Sequence, residues 1–600
     1  MNGVIRVPEP LQAARAGLAE LDGVDVLREF EWDSDAGAWI LVCRLYISAP
    51  RGIVPTRTTW YVHVEDTYPW GNIKIFPAKR GGLETTYPHQ SLNGPGSGNQ
   101  LWRTGKLCVD TGVHALGRGL DTEPFEAYLR LAWRLRRARA WLEAADAGTL
   151  VLPGEPFELP DFDTPVAPTL GFWEDGGTFS AWSGINASAG EVLLTRLRDQ
   201  PDLVAAIEFR GGKGGQVLLS PPWGQYISAN VGERALGLWI KLPDVPHLEP
   251  WRAPLTWGEL AAAASAMGVD LFAILEGLAP RIRDGKRHYL LIGFPLPARA
   301  GDPPCRIYWQ PMLLPRLSST KRDGFRSGLK AGWVNDRARI FRTDSRITWV
   351  KGENWSSADL AGRGRLPARV TGRCFLIVGA GALGAPIAEM LVRGGVTTLN
   401  VSDGDHVKAG NLVRHTLSLR DVGIVKGVAV ADRINAASSG ARVTALSNFP
   451  PKGEVEIDAA QRSDVVIDMT GSDVVLAALA AFPWAGPRLF LSISIGFRAQ
   501  RLFCFAAAGS PFPHQEFIDR MQPWLQREQE EAAPAELARE GVGCWHPVFP
   551  ARVDDIWMLA SVAVKWIEQC VVSEPATPTL TVFEQEHDGN AFFGLRRIHG

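Results

Sequence analysis

The chain is poor in cysteine for its 600 residues, and none of the seven it has is arranged as a pair. They are scattered at positions 43, 108, 305, 374, 504, 544 and 570, an odd number with no C-x-x-C spacing. That excludes a disulfide framework and a four-thiolate zinc site. Although 46% of the residues are hydrophobic, no unbroken apolar run reaches the roughly 18 residues that a membrane-spanning helix needs. Charge of either sign is not in excess, since 63 Lys and Arg stand against 65 Asp and Glu, a net charge of -2. With no global electrostatic pull toward them, neither nucleic acid nor a membrane is expected as a partner. The first residues run from Met1 to Arg6 into Pro8 and a polar amphipathic stretch without the apolar core of a signal peptide, so a cytoplasmic location is expected.

The length exceeds what one core supports, and three domains are expected, 1–148, 149–350 and 351–600. In the first, residues 11–21 have helical spacing. Residues 27–32, 39–47, 59–64 and 72–76 are strand-like, and Thr122 and Pro124 open a long helix to residue 145. Between the last strand and that helix, an aperiodic loop of residues 87–99 leads to Gly105-Lys106-Leu107-Cys108-Val109-Asp110. The second region has Pro-rich joints at 153–168 and 296–315, strands at 216–219 and 288–292, and one apolar helix over 257–278. It carries no motif and is expected to be an α+β linker domain that positions its neighbours. From Arg373 onward, strands at 374–378, 397–401, 465–467 and 489–493 alternate with helices such as 383–393, which predicts a doubly wound parallel sheet. The fold class is therefore α/β and multidomain, with α+β domains ahead of a Rossmann-like one. Cys43 and Cys374, beside apolar strand residues, and Cys570, in a helix over 556–572, are expected to be buried fillers.

Gly379, Gly381 and Gly384 follow a strand and open a helix, and Asp403 ends the next strand at the spacing where an acid meets a ribose hydroxyl. Glycines there allow a tight turn and bring backbone N–H groups to phosphate at the positive end of a helix. By itself the pattern suits a dehydrogenase equally well. Three further motifs follow in order: Val401-Ser402-Asp403-Gly404-Asp405, then Asn411-Leu412-Val413-Arg414-His415, then Asp421-Val422-Gly423-Ile424-Val425-Lys426 heading a helix. Together they resemble the ThiF and ubiquitin-activating enzyme superfamily. That resemblance implies ATP as cofactor, with Asn411, Arg414 and Lys426 binding it and the two cations stabilising charge during adenylyl transfer. It also implies Mg2+. The family's Asp-Cys-Thr-Asp is replaced here by Asp468-Met469-Thr470-Gly471-Ser472-Asp473, so Asp468 or Asp473 is the expected metal ligand. An Arg supplied by a partner subunit is typical of the family, and Arg363 or Arg365 lies in the corresponding stretch.

Cys544 lies in Gly541-Val542-Gly543-Cys544-Trp545-His546-Pro547, a Gly- and Pro-flanked context suited to an exposed nucleophile. It resembles the crossover-loop cysteine of ubiquitin-activating enzymes. The N-terminal region resembles ubiquitin-conjugating enzymes through Tyr68-Pro69, Phe76-Pro77, Tyr87-Pro88-His89 and the Cys108 motif, which implies that Cys108 receives an acyl group from Cys544. The family's His-Pro-Asn triplet is not intact, since Gln90, Ser91 and Leu92 follow His89, and Asn93 or Asn99 is left to support the oxyanion, or neither. The domain order is similar to that of bacterial ubiquitin-transferase fusions associated with CD-NTases in CBASS anti-phage operons. That family implies a homodimer acting on a protein substrate with a C-terminal glycine, either a CD-NTase or a bacterial ubiquitin-like protein. A sulfur-carrier adenylyltransferase and a non-catalytic scaffold are the rival readings.

Overall fold

The computed structural model describes residues 6–48, 51–109, 122–197, 200–212, 215–229, 232–318, 329–532, 539–540, 546–547, 550–589 and 591–600. The chain divides into two compact units, one of Met1–Ser220 with Glu233–Glu353, the other of Pro221–Gly232 with Asn354–Gly600.

The first unit opens with the helix Glu9–Gly17 and a four-stranded antiparallel meander of β1 (Val24–Asp33), β2 (Ala38–Tyr46), β3 (Arg57–Val64) and β4 (Ile73–Pro77). β1 alternates half-buried and exposed positions, as an edge strand with one wet face does, whereas β2 is almost wholly buried. The helix Ala127–Ala147 closes this core through Leu131, Leu135, Ala138, Trp141 and Leu142, and ends where Gly148 takes the left-handed conformation at φ +68. Thr122 and Pro124 do not open this helix. Glu123 ion-pairs with Arg130 and Arg134, each at 2.7 Å, so the residues before Ala127 fold across the first turns instead of extending them.

The same unit holds a second sheet of β5 (Thr169–Phe172), β6 (Ala189–Leu197), β7 (Gln200–Gly211), β8 (Val217–Leu219), β9 (Arg234–Lys241), β10 (His288–Pro297), β11 (Pro304–Leu314) and β12 (Lys351–Asn354). The order is β11-β10-β9-β6-β7-β5-β12, with β8 paired to β7. Buried Glu174 accepts hydrogen bonds from the indoles of Trp182 (2.8 Å) and Trp309 (3.0 Å), and burial pushes its carboxyl up to about 7. The expected single helix over 257–278 is two, Trp257–Ala266 and Leu271–Leu278. Gly268 sits at φ +77, and the side chain of Asp270 caps the second helix by accepting from Ala273 N at 3.0 Å. Among the described residues no single helix is long and apolar enough to cross a membrane.

The second unit is built on β13 (Phe375–Val378), β14 (Thr398–Ser402), β15 (Arg442–Leu446), β16 (Val465–Asp468), β17 (Arg488–Ile495), β18 (Arg501–Gly509), the two-residue ladder β19 (Arg539–Glu540) and β20 (His546–Pro547), β21 (Thr579–Asp588) and β22 (Ala591–His599). The main sheet runs β15-β14-β13-β16-β17-β18-β21-β22. The first five strands are parallel, as the β/α alternation predicts, but β17 turns directly into β18 and the last three are antiparallel. A tight turn at Phe497–Ala499 leaves no room for the crossover helix that a parallel neighbour requires. Strand order reverses beside β13, which opens a crevice at its carboxyl end, where ligands of such sheets bind.

Candidate functional site

The glycine turn after β13 is shaped by three different needs. Gly379 is at φ +95, and a Cβ there would sit 2.9 Å from Thr470 Cγ2. A Cβ on Gly384 would lie 2.0 Å from the carbonyl oxygen of Gly379, so the helix Gly384–Arg393 can start there only without a side chain. At Gly381 a Cβ would meet nothing within 4 Å, because that position faces open space. The space is a cavity of about 450 Å3 lined by Gly381, Asn411, Arg414, His415 and Lys426 on one side, and by Leu383, Met469, Ile493, Ile495 and Ile556 among others. Of the residues expected to bind nucleotide, the fold therefore brings Gly381, Asn411, Arg414 and Lys426 to one cavity.

Asp403 lies beside the cavity and is not among its lining residues. One oxygen of its carboxylate accepts from Ala380 N at 2.8 Å and the other from Asp405 N at 3.0 Å, so it braces the turn. Lys426, the first residue of the helix Lys426–Ala437, reaches Asp405 Oδ2 at 2.9 Å while its own N–H donates to Asp405 O at 2.7 Å. His415 is buried and donates from Nε2 to Ala380 O at 2.7 Å; burial holds its proton affinity below the usual histidine range. Sequence reading named His415 and Asp405 as motif members without giving them a task. Their work is contact with backbone and cation, which a motif does not spell out.

Open space at Gly381, a helix N-terminus behind it and two cations beside it fit a triphosphate. The fit to magnesium is thinner. Asp468 is 1% exposed, and its oxygens accept from Thr470 Oγ1 at 2.7 Å, Thr470 N at 3.1 Å and Ser492 Oγ at 3.0 Å. Burial, partly offset by those bonds, raises its proton affinity. Asp473 is exposed on the first turn of the helix Asp473–Ala481. Among the described residues no three His, Cys, Asp or Glu side chains converge as a metal site. Arg363 and Arg365 are exposed, the latter donating to Thr371 Oγ1 at 3.3 Å.

Cys544 lies outside the described residues. Cys108 is half-buried between Leu107 and Val109, both of which belong to the core that the helix Ala127–Ala147 closes. Its N–H donates to His89 O at 2.9 Å. Asn93 is not the oxyanion donor left open by the sequence, because both of its amide N–H groups are spent on the carbonyls of Leu83 and Thr85, each at 2.9 Å, and it is buried. Asn99 is exposed. Of the expected filler thiols, Cys43 and Cys570 are buried, and burial pushes both up to about 12. Cys374 is only half-buried, because its backbone N–H is drawn to Asp464 at the sheet end.

A glycine turn at the switch point of such a sheet, with a cation-lined cavity beside it, is the arrangement of a nucleotide-binding enzyme. The ThiF family matches residues 369–481, and the Cap2 central linker domain matches residues 148–355. The chain is 32% identical over 597 residues to the ATP-dependent ubiquitin transferase-like protein Cap2 of Enterobacter hormaechei subsp. hoffmannii, covering 98% of both chains. It belongs to that family of ATP-dependent ubiquitin transferase-like enzymes. A shorter likeness, 38% identity over 96 residues, joins it to the sulfur carrier protein ThiS adenylyltransferase of Escherichia coli K12, over 16% of this chain and 38% of that one. The solved structure of E. coli MccB with ATP aligns at 12% identity and a TM-score of 0.27, over 38% of this chain and 64% of that one, too slight a likeness to argue from.

Proposed function

We propose that the chain activates the C-terminal glycine of a partner protein and relays it through two cysteines to target amines, over domains bounded at 1–148, 149–350 and 351–600. In the first step the terminal carboxylate attacks the α-phosphorus of ATP and pyrophosphate leaves. Arg414 and Lys426 offset the charge that develops on the phosphates, Asn411 and the turn at Gly379, Gly381 and Gly384 hold them, and Asp403 meets the ribose. A magnesium ion bound with the nucleotide would neutralise phosphate charge, with Asp468 or Asp473 as its protein ligand. The Cys544 thiolate then attacks the acyl carbon and releases AMP. Cys108 takes the acyl group and frees Cys544, and an acceptor amine takes it from Cys108 as an amide. The partner is a CD-NTase and the setting anti-phage defence in the cytoplasm; a homodimer supplies Arg363 or Arg365 across its two sites.

The observation that carries this reading is the cavity where open space at Gly381 adjoins Arg414 and Lys426, in a chain that matches a ubiquitin transferase-like protein from end to end. The test is a non-reducing gel with intact mass analysis of the protein with ATP, Mg2+ and a candidate partner ending in glycine. A thiol-sensitive adduct is expected that disappears in Cys544→Ala and stays on Cys544 in Cys108→Ala. No adduct in any form would overturn the relay. The 38% likeness to a ThiS adenylyltransferase favours a second reading, a sulfur-carrier adenylyltransferase, which requires Cys108→Ala to leave all activity intact.

A further inference from the structure

Among the described residues of the Cys108 loop, His89 both breaks a backbone rule and bonds to the cysteine's backbone. Its φ is +57, in the left-handed region that a side chain with a Cβ seldom adopts unless its surroundings impose it. The surroundings here come from beyond the first domain's helix. Glu158 accepts from His89 N with both carboxylate oxygens, at 3.1 and 3.2 Å, and meets His89 Nδ1 at 2.5 Å. Three residues on, Asp161 Oδ2 accepts from Leu92 N at 3.0 Å, so the same segment holds the loop at a second point. The carbonyl of His89 in turn accepts the N–H of Cys108. An acid 50 positions beyond Cys108 (158 minus 108) is thus two hydrogen bonds from its backbone.

We propose that Glu158 is a positioning residue for Cys108, holding His89 in its left-handed conformation so that the His89 carbonyl fixes the cysteine in the orientation from which it takes and gives up an acyl group. The proposal rests on the reading of Cys108 as an acyl carrier. A carboxylate suits the task because it binds the backbone N–H and the ring N–H of one residue at once, which no single neutral acceptor oxygen does as well. Burial disfavours a charged His89, but the hydrogen bond and charge of Glu158, with smaller contributions from the charge of Glu155 and the backbone of Leu150, more than reverse this and raise its proton affinity. The hold is therefore strongest when the imidazole is protonated and the acid ionised.

The experiment uses the full-length chain as wild type, Glu158→Ala, Glu158→Gln and Glu233→Gln, the last altering an exposed ion pair with Arg196 as a control. The rate of Cys108 alkylation by iodoacetamide is followed by peptide mass analysis across a pH range that brackets histidine titration, with core Cys43 as an internal measure of unfolding. Glu158→Ala is expected to change the Cys108 rate roughly tenfold while Cys43 stays protected, as the loss of a charged hydrogen bond predicts. Glu158→Gln, which keeps an acceptor for the backbone N–H, is expected to stay nearer wild type at high pH but to lose the inflection contributed by His89. Unchanged rates and pH profiles in both variants, or Cys43 labelled in step with Cys108, would overturn the proposal. With ATP and partner present, Glu158→Ala should load Cys544 normally and slow passage to Cys108. If no adduct forms in any variant, the relay reading fails, while the alkylation rates still decide the role of Glu158.

Discussion

His415 donates a 2.7 Å hydrogen bond from Nε2 to the carbonyl of Ala380, the residue at the centre of the glycine turn. Asp403 takes the N–H of the same residue at 2.8 Å, so the turn is gripped on both sides of one residue. The other ring nitrogen, Nδ1, accepts from Leu417 N at 3.3 Å, which fixes the neutral ring with its proton on Nε2. Burial disfavours the imidazolium, so the folded group titrates below its ordinary 6.5. A histidine with a depressed proton affinity contributes stability above its ordinary value and loses it as pH falls through the lower folded value. ATP affinity, measured by calorimetry, is expected to fall in acid for the wild type. His415→Ala should weaken it roughly tenfold at neutral pH, the worth of one buried hydrogen bond. His415→Gln, whose amide can donate at any pH, should flatten the acid limb; a limb of unchanged shape would show that His415 does not set it.

Gly384 and Gly381 should fail in different ways. A methyl on Gly384 collides with backbone at 2.0 Å, so Gly384→Ala is expected to lower the melting temperature. Gly381→Val meets open space, so it should melt with the wild type and yet lose nucleotide binding, because the side chain fills the place of a phosphate. Thermal unfolding with and without ATP separates the two. Equal destabilisation by both would mean that Gly381 is structural.

Lys426 is 14% exposed in its side chain, while its partner Asp405 is 76% exposed. An ion pair that open contributes little to stability, about 1 kcal/mol or less, so Asp405→Asn should leave the melting temperature unchanged. What the pair does is aim an ammonium at the cavity. Lys426→Ala is expected to reduce ATP–pyrophosphate exchange by about a hundredfold or more, in line with removing one preorganised charge from a transition state. Asp405→Asn should act mainly on KM, since it frees the lysine without removing it. A kcat loss equal to that of Lys426→Ala would instead place Asp405 in the chemistry.

Much of the second unit was legible because its signals are local. A buried apolar strand, Phe375–Val378, followed at once by a glycine turn leaves few alternatives, and Asn411, Arg414 and Lys426 keep their order along the chain as they line the cavity. The antiparallel extension was not legible, because Arg501–Gly509 is as apolar and buried as a parallel strand and only the tightness of the preceding turn decides its direction. The break at Gly268 was hidden for a similar reason: one glycine inside an apolar helical pattern is compatible with continuity until Asp270 is seen to cap a new start. Glu158 gave no sequence signal at all, since its partner His89 is 69 residues away and neither stands in a recurring spacing with the other. The choice among Asn93, Asn99 or neither stayed open in the sequence, because a nearby amide is a plausible donor to an oxyanion until its N–H groups are found occupied, as those of Asn93 are by two carbonyls.

Arg501 offers a test of how the antiparallel end of the sheet is held. It is 3% exposed, and its guanidinium meets Glu528 at 2.5 Å, Glu531 at 2.7 Å and Glu584 at 2.7 Å, while Glu528 also accepts from Phe497 N. Burial opposes the charge, but the three carboxylates outweigh it and raise the proton affinity of Arg501 above the usual arginine value. One side chain thereby ties β18 to β21 and to the helix His514–Ala532. Arg501→Met fills a similar volume but leaves carboxylates facing one another with no cation between them, so it is expected to cost about 3–5 kcal/mol in chemical denaturation. Arg527, 48% exposed and paired with Glu531 and Glu584 from outside, should cost about 1 kcal/mol or less as Arg527→Ala. The difference depends on burial, not on the number of ion pairs. Equal losses for the two variants would mean that Arg501 is reached by water and that apolar packing alone holds the helix to the sheet.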